Sequence, residues 1–229
     1  MQTIGMIGGM SWESSIEYYR IVNQEVRRRL GGTHSARSVM VSVDFHDIEH
    51  MQHRGDWEAA AAAMVGAARA VETAGADFLV ICTNTMHRMA GEVEAAVGIP
   101  LLHIADATAA AVLASGVRRV ALLGTRFTME QDFYRGRLEG RGLDVLVPPE
   151  ADREIVHRVI YDELVRGEVL DRSRDRYLEI IGALVARGAG GVIAGCTEIA
   201  LLVAPGDVAV PYFPPTRIHA LAAVDRALG

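Results

Sequence analysis

Ile4-Gly5-Met6-Ile7-Gly8-Gly9-Met10-Ser11 is the stretch whose reading decides the architecture. Thr3–Ile7 is a short apolar run suited to a buried strand, the glycine pair to a tight turn, and Ser11 to the opening of a helix. The run has a partner: Ile4-Gly5-Met6-Ile7-Gly8 resembles Val120-Ala121-Leu122-Leu123-Gly124, with the final glycines 116 residues apart (8 to 124). Farther along, Val80-Ile81-Cys82-Thr83 resembles Ala194-Gly195-Cys196-Thr197, with the cysteines 114 apart (82 to 196). Two matches at nearly one offset point to two similar lobes in one chain.

Between these anchors short β runs alternate with amphipathic helices. Strands are expected at Ser38–Val43, Phe78–Ile81, Leu101–Ile104, Arg119–Leu123, Asp144–Val147 and Gly191–Ala194. An Ala-rich helix runs from Trp57 to Thr73, two helices fill Glu150 to Arg187, and a closing helix covers Thr216–Leu228. Asp106 is expected to cap the helix after the 101–104 strand, and Thr128-Met129-Glu130-Gln131 reads as a capping box. The fold class is therefore α/β: two similar lobes, each a mostly parallel sheet flanked by helices, related by pseudo-two-fold symmetry. Residues 1–105 form lobe 1, residues 106–209 form lobe 2, and the C-terminal segment 210–229 returns to lobe 1.

The 229 residues are 50% hydrophobic and only 6% aromatic, a composition suited to helices packed closely on a sheet. A net charge of −6 argues against a nucleic-acid partner, which needs an excess of basic side chains. The one basic run, Arg27-Arg28-Arg29, falls where a helix should end and complements its dipole. Apolar stretches are broken by His103, Asp106 or Glu198 well short of the ~18 residues that span a membrane. No basic flank precedes the first apolar run, so no signal peptide is expected. Two cysteines far apart in sequence favour reduced thiols over a disulfide, and a cytoplasmic location.

Those two cysteines carry the chemistry. In an open α/β sheet, ligands bind beyond the carboxyl ends of the strands, where Cys82 and Cys196 both fall. Helix-opening residues follow each: Thr83-Asn84-Thr85 and Thr197-Glu198. The helix dipole is expected to lower each thiol pKa from ~8.5 toward neutrality, and the free amides there suit a carboxylate. Inverting a stereocentre needs a base on one face and an acid on the other, with roles exchanged in reverse. Two like groups in equivalent lobes meet that need. No P-loop or G-x-G-x-x-G fingerprint is present, and Gly5-Met6-Ile7-Gly8-Gly9 has the wrong spacing for a dinucleotide site.

Gly5-Met6-Ile7-Gly8-Gly9-Met10-Ser11-Trp12-Glu13-Ser14, Cys82-Thr83-Asn84-Thr85-Met86-His87 and Gly195-Cys196-Thr197-Glu198-Ile199 resemble the three signature segments of the aspartate/glutamate racemase family. They are closest to its broad-specificity amino-acid racemase branch. Leu102–Thr108, Leu123–Thr128 and Pro148–Arg153 resemble that branch too. The resemblance implies a homodimeric, two-lobed amino-acid racemase, its substrate a small molecule, that uses no cofactor, neither pyridoxal phosphate nor metal. It makes Cys82 and Cys196 the catalytic bases, sets Thr83, Asn84, Thr85, Thr125, Thr197 and Glu198 around the substrate, and has Met10 and Gln52 line the cleft. Strict aspartate racemases carry an arginine where this chain reads Asp44-Phe45-His46-Asp47-Ile48-Glu49, and a lysine where it has Val165. Both losses favour a neutral or mixed substrate. Phe213-Pro214-Pro215-Thr216 also departs from the family's Phe-Asp-Thr-Thr.

Weaker signals have plainer readings. His46, His50 and His53 would share a helix face but lack a fourth metal ligand. His87 follows Cys82 by five residues, an offset that suits packing or support better than direct proton exchange. Glu198 is either a tuner of Cys196, a ligand for a substrate amine, or a first-turn carboxylate. Trp12 and Trp57 are expected in the core or at a subunit interface. Two alternatives stand beside racemisation: another chemistry of the wider superfamily that the segments resemble (hydantoin racemisation, diacid isomerisation or decarboxylation), and a catalytically silent small-molecule binding protein.

Overall fold

A computed structural model describes all residues, 1–229. The chain divides into two compact units, Met1–Ile104 with His219–Gly229, and Ala105–Ile218. No helix is long and apolar enough to cross a membrane.

Unit 1 is built on β1 (Ile4–Gly8), β2 (Ser38–Ser42) and β3 (Phe78–Ile81), all parallel in the order β2-β1-β3. Side chains alternate across this sheet, and the two sets reach different helices. Ile4, Met6, Phe78, Val80 and Cys82 pack with Tyr18, Ile21, Val22 and Val26 of α1 (Trp12–Leu30) and with Ala220, Ala223, Val224 and Ala227 of the C-terminal helix. Ile7, Leu79 and Ile81 pack with Ala60, Met64, Ala67, Ala68 and Val71 of α3 (Trp57–Thr73), beside α2 (Phe45–Arg54). Gly5 lets α3 approach, because a Cβ there would strike Val71. A 3-10 turn (Thr85–Met89) and α4 (Ala90–Ala96) follow β3.

The turn after β1 explains the glycine pair. Gly9 has φ +93°, and a Cβ on it would run into the Val43 carbonyl. Its amide donates to Ser15 Oγ at 2.8 Å, and that hydroxyl donates to Ser11 O at 3.1 Å. Ser11 caps α1, accepting from the Ser14 amide. The arginine run closes this helix, with Arg28 and Arg29 gripping Glu25 at 2.6 and 2.7 Å.

Unit 2 opens with α5 (Ile104–Ala114), whose first residue belongs to unit 1. Next come β4 (Arg119–Gly124), α6 (Arg126–Glu130), α7 (Arg135–Gly140), β5 (Asp144–Leu146), α8 (Glu150–Asp162), a 3-10 turn (Leu164–Arg166) and α9 (Asp171–Ala186). β6 (Val192–Gly195), α10 (Ile199–Leu202) and β7 (Tyr212–Phe213) complete the unit, and α11 (Pro215–Leu228) carries the chain back into unit 1. The sheet is parallel in the order β5-β4-β6-β7. Ala121, Leu123, Val192 and Ala194 face Val156, Val159 and Ile160 of α8 and Tyr177, Ile180, Ile181 and Leu184 of α9.

Several sequence expectations need correction. Leu101–Ile104 is no strand: only Leu101 bridges to Leu79, and Ile104 already begins α5. Asp106 therefore lies in the first turn of that helix rather than ahead of it, and its carboxylate takes Arg137 at 2.8 Å and Arg141 at 3.0 Å. Thr125, not Thr128, caps α6, accepting from the Thr128 amide at 3.3 Å. Residues 210–218 stay with unit 2, because β7 pairs with β6. Trp12 is 61% exposed and belongs to no core. Trp57 is half-buried beneath the Arg88 guanidinium, 4.2 Å from the ring centre.

Candidate active site

β3 delivers Cys82. Its amide donates to Ile7 O at 2.9 Å, the last rung before the chain bends through Thr83 and Asn84. The side chain continues the Phe78 and Val80 row and enters the core beside the alanines of α11. Burial alone pushes this thiol far up, so it keeps its proton at neutral pH.

Asn84 is buried, and its Oδ1 has no hydrogen-bond partner. An orphaned buried acceptor costs about 1–3 kcal/mol, a cost that a donor brought by a ligand would remove. The amides of Thr83 and Asn84 take no part in the strand ladder or the turn bonds. This loop thus offers donors for an anion and an acceptor for a cation within two residues of the thiol. Thr85 is buried at the start of the 3-10 turn. Gln52, on α2, donates its amide to Met86 Sδ at 3.1 Å and so touches the segment after Cys82. Met10 is buried in the same core cluster as Ile81 and Met86.

In unit 2, Gly124 pairs with Gly195, so Thr125 and Cys196 leave neighbouring strands at the same level. Glycine is required at 195, where a Cβ would lie 2.8 Å from Leu123 O. Cys196 is partly buried, and its Sγ–H donates to Glu198 Oε2 at 2.9 Å. Burial raises this thiol well above its ordinary range, and the Glu198 carboxylate adds to the rise; the amides of Glu198 and Thr197 pull the other way. Thr197 Oγ1 meets Thr216 Oγ1 at 2.9 Å. Thr125 Oγ1 lies 3.2 Å from Thr128 Oγ1.

The two thiols sit in different company. Cys82 lies in a hydrophobic cluster, whereas Cys196 has a carboxylate in contact and two phenols nearby. Tyr177 and Tyr212 are both raised chiefly by burial and further by negative charge at Cys196. Tyr177 donates to Val156 O at 2.8 Å, while the Tyr212 hydroxyl is buried without a partner. Sequence reasoning missed both tyrosines and Thr216. Thr216 had a signal in the Phe213-Pro214-Pro215-Thr216 departure; the tyrosines reach Cys196 from distant elements, which no local pattern records.

The expected fall in thiol pKa does not occur. Only a 3-10 turn follows Cys82, and α10 after Cys196 has four residues. Dipoles that short do not offset the loss of water around sulfur. Elsewhere, the His46 and His50 rings stack 6.2 Å apart and His53 faces Glu49 at 3.9 Å. No group of three or more His, Cys, Asp or Glu is placed to hold a metal ion. Val165 lies in the 164–166 turn, against the core of unit 2.

Residues 7–223 match the model of the Asp/Glu/hydantoin racemase family. The chain belongs to that family. It resembles the broad-specificity amino-acid racemase RacX of Bacillus subtilis (strain 168), with 23% identity over 60% of this chain and 59% of the relative. The chain spans a little over half the length of the curated relatives it matches. Two solved structures match over 100% of both chains. One is a Yersinia pestis protein provisionally assigned as an Asp/Glu racemase, 54% identical with a TM-score of 0.94. The other is an aspartate racemase homologue from Pyrococcus horikoshii OT3, 34% identical with a TM-score of 0.86.

Proposed function

We propose that this family member is an amino-acid racemase that needs no cofactor and uses Cys82 and Cys196 as its two bases. The observation that carries the reading is that the chain's only cysteines end the corresponding strand, β3 or β6, of each parallel sheet. The orphaned Asn84 Oδ1 and the uncommitted Thr83 and Asn84 amides suit the ammonium and carboxylate of an amino acid. All 23 basic residues counted as Lys or Arg are arginine, so no lysine exists to anchor pyridoxal phosphate as a Schiff base.

Burial and the Glu198 carboxylate hold the Cys196 thiol protonated at rest. Glu198 Oε2 is, however, the acceptor in contact with its Sγ–H, and we assign Cys196 as the sulfur that gives up its proton when substrate arrives. Its proton passes to Glu198, and the thiolate removes the substrate's Cα proton. The electron pair left on carbon spreads into the carboxylate, where amides and hydroxyls stabilise it. Cys82, still protonated, then gives its proton to the opposite face and becomes the thiolate. The product leaves with the two sulfurs exchanged in charge, ready for the reverse reaction.

No arginine is among the buried polar residues of either unit, which supports a neutral or mixed substrate over aspartate. The Asp44–Glu49 segment instead caps and opens α2, and Gln52 is the buried polar side chain it leads to. We also propose a homodimer. Trp12, Ile16 and Tyr19 leave an exposed apolar stripe at i, i+4 and i+7 on α1, of a kind that water-soluble monomers seldom present.

Incubation in D2O with each enantiomer of neutral, basic and acidic amino acids tests the reading. Deuterium should enter Cα as optical activity is lost, fastest for neutral side chains. Cys82→Ala and Cys196→Ala should each abolish racemisation with the fold retained. Racemisation by either variant would sink the two-base assignment, and binding without exchange would mark a silent cleft.

A further inference from the structure

His87 is the strongest buried polar group left unused by the proposed chemistry. It is 1% exposed, and both ring nitrogens are committed. Nε2 lies 3.2 Å from the Ile104 amide nitrogen, which can only donate, so Nε2 accepts and carries no proton. Nδ1 is 2.7 Å from Thr83 O, which can only accept, so Nδ1 holds the proton. The ring is thus a neutral, single-tautomer bridge. It ties the residue after Cys82 to Ile104, where the first segment of unit 1 ends. His103 and His219 pack against it at ring separations of 4.5 and 5.7 Å. His219 in turn donates from Nε2 to Leu102 O at 2.7 Å and accepts from Tyr18 at Nδ1, so two histidines hold the segment from Leu102 to Ile104.

The peptide between Thr83 and Asn84 is planar, and its C=O and N–H point in opposite directions. Fixing the Thr83 carbonyl on His87 therefore fixes the Asn84 amide away from His87. If the peptide turned over, a carbonyl dipole would take the place of that donor and repel a substrate carboxylate. We propose that His87 is a positioning residue: by holding Thr83 O, it keeps the Cys82–Asn84 loop preorganised for the carboxylate whose charge grows as the Cα proton leaves. This rests on the racemase reading.

Two near-isosteric variants separate its bonds. His87→Asn keeps a donor where Nδ1 stood and loses the acceptor for Ile104; His87→Gln does the reverse. His87→Gln should lower kcat about 10- to 100-fold with KM changed far less. His87→Asn should stay near wild type, and both should unfold at similar temperatures. Equal losses in the two variants, or losses that follow thermal stability, would overturn the proposal. A second readout needs no turnover. In a Cys196→Ala background, alkylation of Cys82 by iodoacetamide should quicken with His87→Gln and not with His87→Asn. Should wild type exchange no amino-acid proton, the racemase reading fails while this comparison still decides whether His87 holds the loop; unchanged alkylation in both variants would show that it does not.

Discussion

Water is scarce around His219, and its imidazole titrates accordingly. Fully buried between Tyr18 and Leu102, it is pushed down to about 4 from 6.5, mainly by loss of solvent, with the Leu102 carbonyl opposing slightly. A depressed histidine pKa means that the fold prefers the neutral ring. Between pH 6.5 and 4 the unfolded chain therefore binds a proton that the folded chain refuses. Stability should be level above pH 6.5 and fall as pH drops through that window, by roughly 3 kcal/mol at full extent. Urea midpoints at pH 7.5, 5.5 and 4 measure it. His219→Gln, which keeps a donor for Leu102 O, should flatten the slope relative to wild type; an unchanged slope would rule out His219 as its source. Glu25 titrates lower still, held down to about 2 by Arg28 and Arg29, so it adds to acid sensitivity below this window. At this scale the sequence was informative about where the two cysteines lie and misleading about their state. Strand ends and flanking hydroxyls marked both cysteines, but a pKa depends on burial by Tyr177, Tyr212 and the α11 alanines, all remote in sequence.

Elements were read well where the code is local. Phe78–Ile81 and Trp57–Thr73 appear with the expected bounds, because an apolar run and a long Ala-rich period each determine their own structure. Leu101–Ile104 failed because Leu101 alone finds a neighbour, while His87 accepts the Ile104 amide and starts a helix there. β7 was missed because two residues carry no periodicity, and pairing with β6 makes them a strand. Glycines show the same division. Gly9→Ala should cost at least about 2 kcal/mol, since it joins a positive φ to a collision with Val43 O. Gly66→Ala and Gly182→Ala lie on exposed helix faces with nothing within 4 Å of the new methyl, and each should stabilise by about 0.5–1 kcal/mol. Denaturant midpoints for the three variants should show opposite signs. A stable Gly9→Ala protein would contradict the turn geometry.

For the whole molecule, the internal repeat supplied the two sheets, but not the ownership of the helices beyond them. α5 follows the Leu101 bridge of unit 1 and lies, after its first residue, in unit 2. α11 follows β7 of unit 2 and returns its residues from His219 onward to unit 1. Ala220, Ala223, Val224 and Ala227 are all buried there. Ending the chain at Ile218 should remove about 5 kcal/mol of apolar burial, comparable to the whole stability of a small domain. The shortened protein should be insoluble or unfold at much lower urea, with hydrogen exchange lost first in β1 and β3. Exchange protection there equal to that of the full chain would refute the dependence.

That returning helix also sets a timetable. A ribosome releases a chain from its N-terminus, and domains fold as their residues emerge. Residues 105–218 are one uninterrupted stretch, so unit 2 has all its parts before residues 219–229 are made. Unit 1 begins to emerge first, yet its row of Ile4, Met6, Phe78 and Val80 waits for residues 219–229 to cover it. The lobe begun first is the last to close, and until residues 219–229 are in place Cys82 stands in an unfinished core.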